Sequence, residues 1–247
     1  MIHYHGGPLT PVSSALRVWA ARHAFISFQA PEQIEVAAEV AQSFALDNGA
    51  FSLWRAGKPT DWTAYYGWVA GWRTHPGFDF AVIPDVIEGG ESENDDLAEQ
   101  WPLPRHEGAP VWHTDESIDR LVRLADRWPR VCLGSSGEYD VARVERAVAR
   151  LTDAIRAISD TTGRPRCKLH GLRMLNPRIF TRLPLASADS TNVARNIGID
   201  KRWRGTYPPA SKETRAYILA ERIEAHNAPG EMPESTGGYQ PHLFDAL

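Results

Sequence analysis

The sequence predicts an α/β fold, a single (β/α)8 TIM-like barrel, on three observations. Short apolar, β-rich runs alternate with helical patterns along the chain, and there are eight such runs. The length of 247 residues is near the ~250 typical of one such barrel. Almost every run ends in a polar cluster, as expected where the catalytic face of a barrel is built. The alternative, an open doubly wound sheet, usually carries a glycine-rich first turn, and neither GxGxxG nor GxxxxGK[ST] occurs.

The eight strands are expected at Ile2–His5, Ala24–Phe28, Phe44–Leu46, Phe78–Ile83, Pro110–His113, Val131–Leu133, Cys167–Leu169 and Leu183–Ala186. Helices are expected between them, near 12–22, 31–42, 60–74, 92–101, 116–127, 140–161, 176–182 and 190–198. Pro31 suits a helix start after a strand, and Thr114 or Asp115 suits the cap of the helix that begins at Glu116. From Asp140 to Ile158, apolar residues recur at helical spacing, and Gly163 ends that stretch. A last helix from Lys212 to His226 packs on the barrel. Residues 1–227 thus form one domain and 228–247 a C-terminal tail.

Composition narrows the function classes. The chain is 43% hydrophobic and 23% charged, without a run of apolar residues long enough to span a membrane. Its start, MIHYHGGPLTP, lacks the basic-then-apolar order of a secretory signal, so a cytoplasmic protein without a membrane partner is expected. Cys132 and Cys167 are far apart, outside any CxxC pair, and read as buried free thiols. A net charge of −4 argues against a generally basic coat, yet Arg173, Arg178, Arg182, Arg195, Arg202 and Arg204 fall in one acid-poor stretch. They fit a basic rim that holds phosphates.

The chemistry lies at the strand ends. Asp47, Asp85 and Asp189 each follow an apolar run and converge if the barrel closes. Crowded carboxylates raise one another's pKa, so one can stay protonated as an acid while another acts as base or nucleophile. Gly134-Ser135-Ser136-Gly137 is a small loop that lets backbone N–H groups approach a ligand. Phe51, Trp54, Trp112 and Tyr139 are candidate stacking partners for a base, whereas Trp62, Tyr65, Tyr66, Trp68 and Trp72 read as packing surface. His3, His5, His113 and His170 also fall at strand ends. With Asp85 or Asp189 they offer a rival reading, a metal-dependent barrel hydrolase of a small molecule. That pattern is incomplete, and neither metal nor other cofactor is expected.

These segments resemble the tRNA-guanine transglycosylase superfamily, including its DNA-modifying branch. The resemblance is carried by Leu46-Asp47-Asn48-Gly49-Ala50-Phe51-Ser52, Asp85, Leu133-Gly134-Ser135-Ser136-Gly137, Lys168-Leu169-His170-Gly171 and the run Ala188 to Asn196. It implies Asp189 as nucleophile and Asp47 as general acid/base. Asp85, Ser135, Ser136 and Gly137 would then surround the base, and Asn48, Phe51, His113, Tyr139, His170, Arg173 and Asn192 are further candidate substrate-binding residues. The cysteine-rich zinc insert of the tRNA-acting members is missing. The expected activity is therefore cleavage of the N-glycosidic bond of a modified base in DNA, or another nucleic acid, by a glycosylase or transglycosylase. Phage defence or phage DNA modification is the setting such an activity suggests. A tRNA base-exchange enzyme and a catalytically silent nucleic-acid binder are the further alternatives.

Overall fold

The computed structural model describes residues 1–60, 62–198, 203 and 207–233. Its strands are β1 (Ile2–Gly6), β2 (His23–Ser27), β3 (Ser43–Asp47), β4 (Phe78–Val82), β5 (Gly108–Ala109), β6 (Val111–His113), β7 (Arg130–Gly134), β8 (Lys168–Gly171) and β9 (Ser187–Ser190). All pair in parallel, in the order β5-β4-β3-β2-β1-β9-β8-β7-β6. The two ends of that order, β5 and β6, are separated only by Pro110. Proline has no N–H to give the ladder, so it splits one stave in two. The Pro110 carbonyl still accepts from Cys132 N at 2.8 Å, and Ala109 O accepts from Ile83 N at 2.9 Å. The broken stave thereby joins β4 to β7 and closes the TIM-like barrel.

The helices follow from local signals. They are α1 (Val12–Trp19), α2 (Ile34–Val40), α3 (Ala50–Ala56), α4 (Trp62–Trp72), α5 (Glu91–Glu99), α6 (Ile118–Arg127), α7 (Val144–Ala157), α8 (Pro177–Phe180), α9 (Asn192–Asn196) and α10 (Lys212–Glu224). Ser117, rather than Thr114 or Asp115, caps α6 by accepting from Arg120 N at 3.2 Å. Ser211 caps α10 in the same way at 3.0 Å. The amphipathic α7 buries Ala147, Val148, Leu151, Ala154 and Ile155 against the staves. It ends before Gly163, which lies in a later turn with φ +83°.

Two cores result. The larger lies between staves and helices and includes Trp19, Phe44, Tyr65, Trp112 and Phe180. The smaller fills the barrel with Tyr4, Phe25, Ala45, Phe80, Val82, Ala109, Val111 and Cys132. Between β3 and β4 the register slips: a step of two along β3, from Phe44 to Leu46, faces a step of three along β4, from Phe78 to Ala81. The bulge turns Phe78 outward onto Phe44 while Asp79 reaches the inward-facing Tyr4. At the N-terminal end of the barrel Asp79 accepts two bonds of 3.0 Å from Arg130 and one of 2.5 Å from Tyr4 Oη. Arg130 also lies 4.0 Å from the centre of the Phe80 ring, so an ion pair and a cation–π contact stopper that end.

The first and last staves differ from expectation. Because Tyr4 points inward, His3 and His5 point outward. His3 Nε2 meets His226 O at 3.0 Å, and His5 Nε2 meets Glu224 Oε1 at 2.8 Å, both at the end of the α10 segment. The last stave is Ser187–Ser190, not Leu183–Ala186. Leu183 and Leu185 are buried in the connection before it. Asp189 is thus inside a strand. No helix among the described residues is long and apolar enough to cross a membrane.

Candidate active site

The C-terminal mouth of the barrel gathers carboxylates from three staves. Asp47 is the last residue of β3, and its Oδ2 accepts from Gly49 N at 3.2 Å. That turn needs glycine: Gly49 has φ +76°, and a Cβ there would sit 2.5 Å from Gln29 Cγ. Burial, followed by the charge of Asp189, raises the Asp47 carboxyl to about 7; Asp85 adds to the rise, while hydrogen bonds from Ser27 and Gly49 oppose it. Asp47 is therefore a carboxyl group that exchanges a proton near neutral pH.

Asp189 lies opposite Tyr4 in the β1–β9 ladder and is 5% exposed. Its Oδ1 accepts from the backbone N–H of Arg173 at 2.9 Å and lies 3.4 Å from His170 Nε2. His170 is fully buried, stacked on Phe25 with ring centres 5.2 Å apart, and its Nδ1 meets Ser187 Oγ at 2.8 Å. Burial, only partly offset by Asp189, lowers the His170 pKa and keeps the ring neutral at pH 7. Ser190 and Asn192, although next to Asp189 in sequence, bond elsewhere. Ser190 Oγ accepts from Asn192 N, and the Asn192 side chain bonds Asn196 within α9.

A second acid–base pair stands beside these groups. Asp85 follows β4, and its Oδ1 accepts from Asn48 Nδ2 at 2.8 Å. Asn48 also donates to Ile83 O at 2.9 Å, tying the ends of β3 and β4 together. Asp85 Oδ2 lies 3.0 Å from Nε2 of His113, off the ideal donor line. Burial alone would lower the His113 pKa, but Asp85, helped by Glu116 and Asp115, carries it above its ordinary value.

Arg173 spans the mouth. It is a non-glycine residue at φ +59°, a conformation that costs free energy and is often found at functional sites. This backbone turn aims its N–H at Asp189. Its guanidinium lies 4.3 Å from the Phe51 ring centre and donates to Ser135 O and Oγ at 3.2 and 3.1 Å. Ser136 N donates to Thr114 Oγ1 at 3.0 Å, and Gly137 takes φ +53° in the exposed loop beyond. Tyr139 packs under Arg150.

Other expected site residues lie elsewhere. Trp112 is fully buried and donates to Ser117 O, so it faces α6 and not the mouth. Arg182 is paired with Glu145 at 2.9 Å. Arg178 and Arg195 are exposed on α8 and α9, and Arg202 and Arg204 lie outside the described residues. Of this stretch, Arg173 thus turns across the mouth, Arg182 pairs with Glu145, and Arg178 and Arg195 are exposed. The rival metal site loses its pair, since His3 and His5 face away from the mouth. Among the described residues no group of three His, Cys, Asp or Glu side chains is placed to hold a metal ion. Glu116, Asn94 and Arg120, all buried behind the mouth, were missed. The His113-x-x-Glu116 and Glu116–Arg120 spacings are the signals in the sequence that point to Glu116 and Arg120.

Neither a family model nor a curated protein matches the chain. Solved structures do. One is a mutant tryptophan synthase α-subunit from the hyperthermophile Pyrococcus furiosus, 13% identical, with a TM-score of 0.51 over 91% of this chain and 96% of that one. A second mutant of the same subunit is 14% identical, with a TM-score of 0.51 over 90% of this chain and 95% of that one. At such identity the likeness concerns the fold. It also corrects the expected family: these two structures are tryptophan synthase α-subunits, a barrel family distinct from the transglycosylases. The DNA glycosylase or transglycosylase activity inferred from that resemblance is withdrawn with it. The matched segments were strand ends rich in Asp, Gly and Ser, which strand-to-helix turns favour in any barrel.

Proposed function

We propose that the protein is a small-molecule enzyme that moves protons with the side chains at its C-terminal barrel mouth, without a resident metal ion. The observation that carries this reading is the gathering of Asp47, Asp189 and the His113–Asp85 pair at the C-terminal mouth, where burial and the Asp189 charge push the Asp47 carboxyl up to about 7. A carboxylic acid half-protonated at working pH serves as general acid or base with equal ease. Asp189, positioned by the Arg173 N–H, supplies the partner carboxylate. The His113–Asp85 pair offers a second proton-carrying group 3.0 Å from its counter-ion.

The reading assigns distinct roles. Asp47 gives a proton to, or takes one from, a small polar substrate. Asp189 faces the same space and stabilises positive charge or accepts a proton in the return step. Arg173, held at its backbone by Asp189 and at its guanidinium by Ser135 and Phe51, orients polar or anionic groups. The placement of all these groups at the C-terminal ends of the staves supports an active site, since that is where barrel enzymes carry their chemistry. The reaction class is an acid–base step of the lyase, isomerase or hydrolase kind.

The test is incubation with a small-molecule extract, with and without chelator, followed by untargeted mass spectrometry. The expected result is consumption of a small polar species by the native protein, slowed by about 10²–10⁴ in Asp47→Asn and undiminished by chelator. Turnover that Asp47→Asn leaves unchanged, or that chelator abolishes, would overturn the proposal.

A further inference from the structure

Behind the mouth, Glu116 is 8% exposed and engages three partners. Its Oε2 accepts from the backbone N–H of His113 at 2.8 Å and from Arg120 Nη1 at 2.5 Å. Its Oε1 accepts from Asn94 Nδ2 at 3.2 Å. Asn94, 3% exposed, in turn accepts from Val86 N at 2.8 Å through its own oxygen. Val86 is covalently joined to Asp85, and Asp85 meets His113 at 3.0 Å. The contacts close on themselves, from Asp85 through Val86, Asn94, Glu116 and His113 back to Asp85.

The ring joins three chain segments: the turn after β4, helix α5, and the turn after β6. Arg120 is fully buried and balances the Glu116 charge. It is fixed in place by Val111 O at 2.7 Å and Asp95 Oδ1 at 2.8 Å. A buried carboxylate so placed is tolerable only because its lone pairs are occupied. Such a network fixes geometry rather than adding much stability.

From this closed ring we infer that Asn94 and Glu116 are positioning residues that hold the His113 ring and the Asp85 carboxylate in register as one proton-carrying pair. The inference deepens the proposed acid–base reading and rests on it only in regarding the pair as part of the chemistry. The charged groups facing His113 are Asp85, Glu116 and Asp115, and the first of these dominates the upward shift of its pKa.

The experiment is imidazole NMR of His113 in the full chain, which needs no substrate. Asn94→Ala removes the link between Glu116 and the β4 turn without changing charge. It is expected to lower the His113 titration midpoint towards its ordinary value and to speed Nε2–H exchange about tenfold or more, with unfolding still cooperative. Glu107→Gln, which breaks the distant Arg73–Glu107 pair, leaves both readouts at their native values. Should Asn94→Ala not fold, Asn94→Ser, which is likewise charge-neutral but too short to bridge Val86 N and Glu116 Oε1, takes its place. A folded variant with native His113 midpoint and exchange would overturn the positioning role. Because turnover is not read, failure here is distinguishable from failure of the proposed function, which is tested through Asp47.

Discussion

In Asp47 the proposed function and stability oppose each other in one side chain. Its folded pKa is raised, so between the ordinary carboxylate value and about 7 the folded chain binds more protons than the unfolded chain. Stability from this group therefore falls as pH rises from about 4 to 7 and stays low above that. Asp47→Asn should raise the unfolding midpoint at pH 8 by a few °C, on the order of 1 kcal/mol or more for a chain of this size. The gain should vanish near pH 4, where the native carboxyl is protonated as well. Thermal unfolding of both proteins at the two pH values is the check, and equal midpoints at pH 8 would mean Asp47 is an ordinary carboxylate. Asp47, Asp85 and Asp189 were legible in the sequence because acids at the ends of apolar runs are conspicuous. The facing of Trp112, His3 and His5 was not, because inside–outside parity depends on one inward residue. In β1 that residue is Tyr4 and in β6 it is Val111, neither of which the pattern alone singled out.

At the scale of elements, the polar stopper of β1, β4 and β7 explains a strand that carries Asp79 among aromatic residues. The Asp79 carboxyl would be raised by burial, but Arg130 bonds and charge hold it below its ordinary value. Removing one partner leaves the other largely unpaired inside the barrel. Arg130→Met should cost about 2–4 kcal/mol in urea unfolding, below the full range for a wholly buried pair because Asp79 is partly accessible. Since the stopper lies at the end opposite the mouth, the Asp47 titration should be unchanged in this variant. A shift there would mean the two ends are coupled. The last stave illustrates why boundaries were harder to read than elements. Leu183 and Leu185 look like a strand because they are apolar, yet they fill the layer outside the barrel. Ser187 and Asp189 form the stave although they are polar, because His170 and the Arg173 N–H satisfy them inside it.

For the molecule as a whole, the eightfold alternation fixed the architecture in advance, and closure through Pro110 completes it. Alternation is a property of every residue along the chain, so it survives local errors such as the displaced last strand. Substrate chemistry is set by a few side chains at the mouth, and strand-end motifs common to all barrels suggested a family the structural likenesses do not support. The contacts that couple the mouth groups, such as Asn94 to Glu116 and Arg173 to Phe51, join segments far apart in sequence and appear only when the barrel is closed.

The most direct measurement of the central claim is a ¹³C carboxyl NMR titration of Asp47 in the native protein and in Asp189→Asn. The account predicts a midpoint of about 7 in the native chain and a lower one once the neighbouring charge is removed. A native Asp47 that titrates near 4, unaffected by Asp189→Asn, would contradict it.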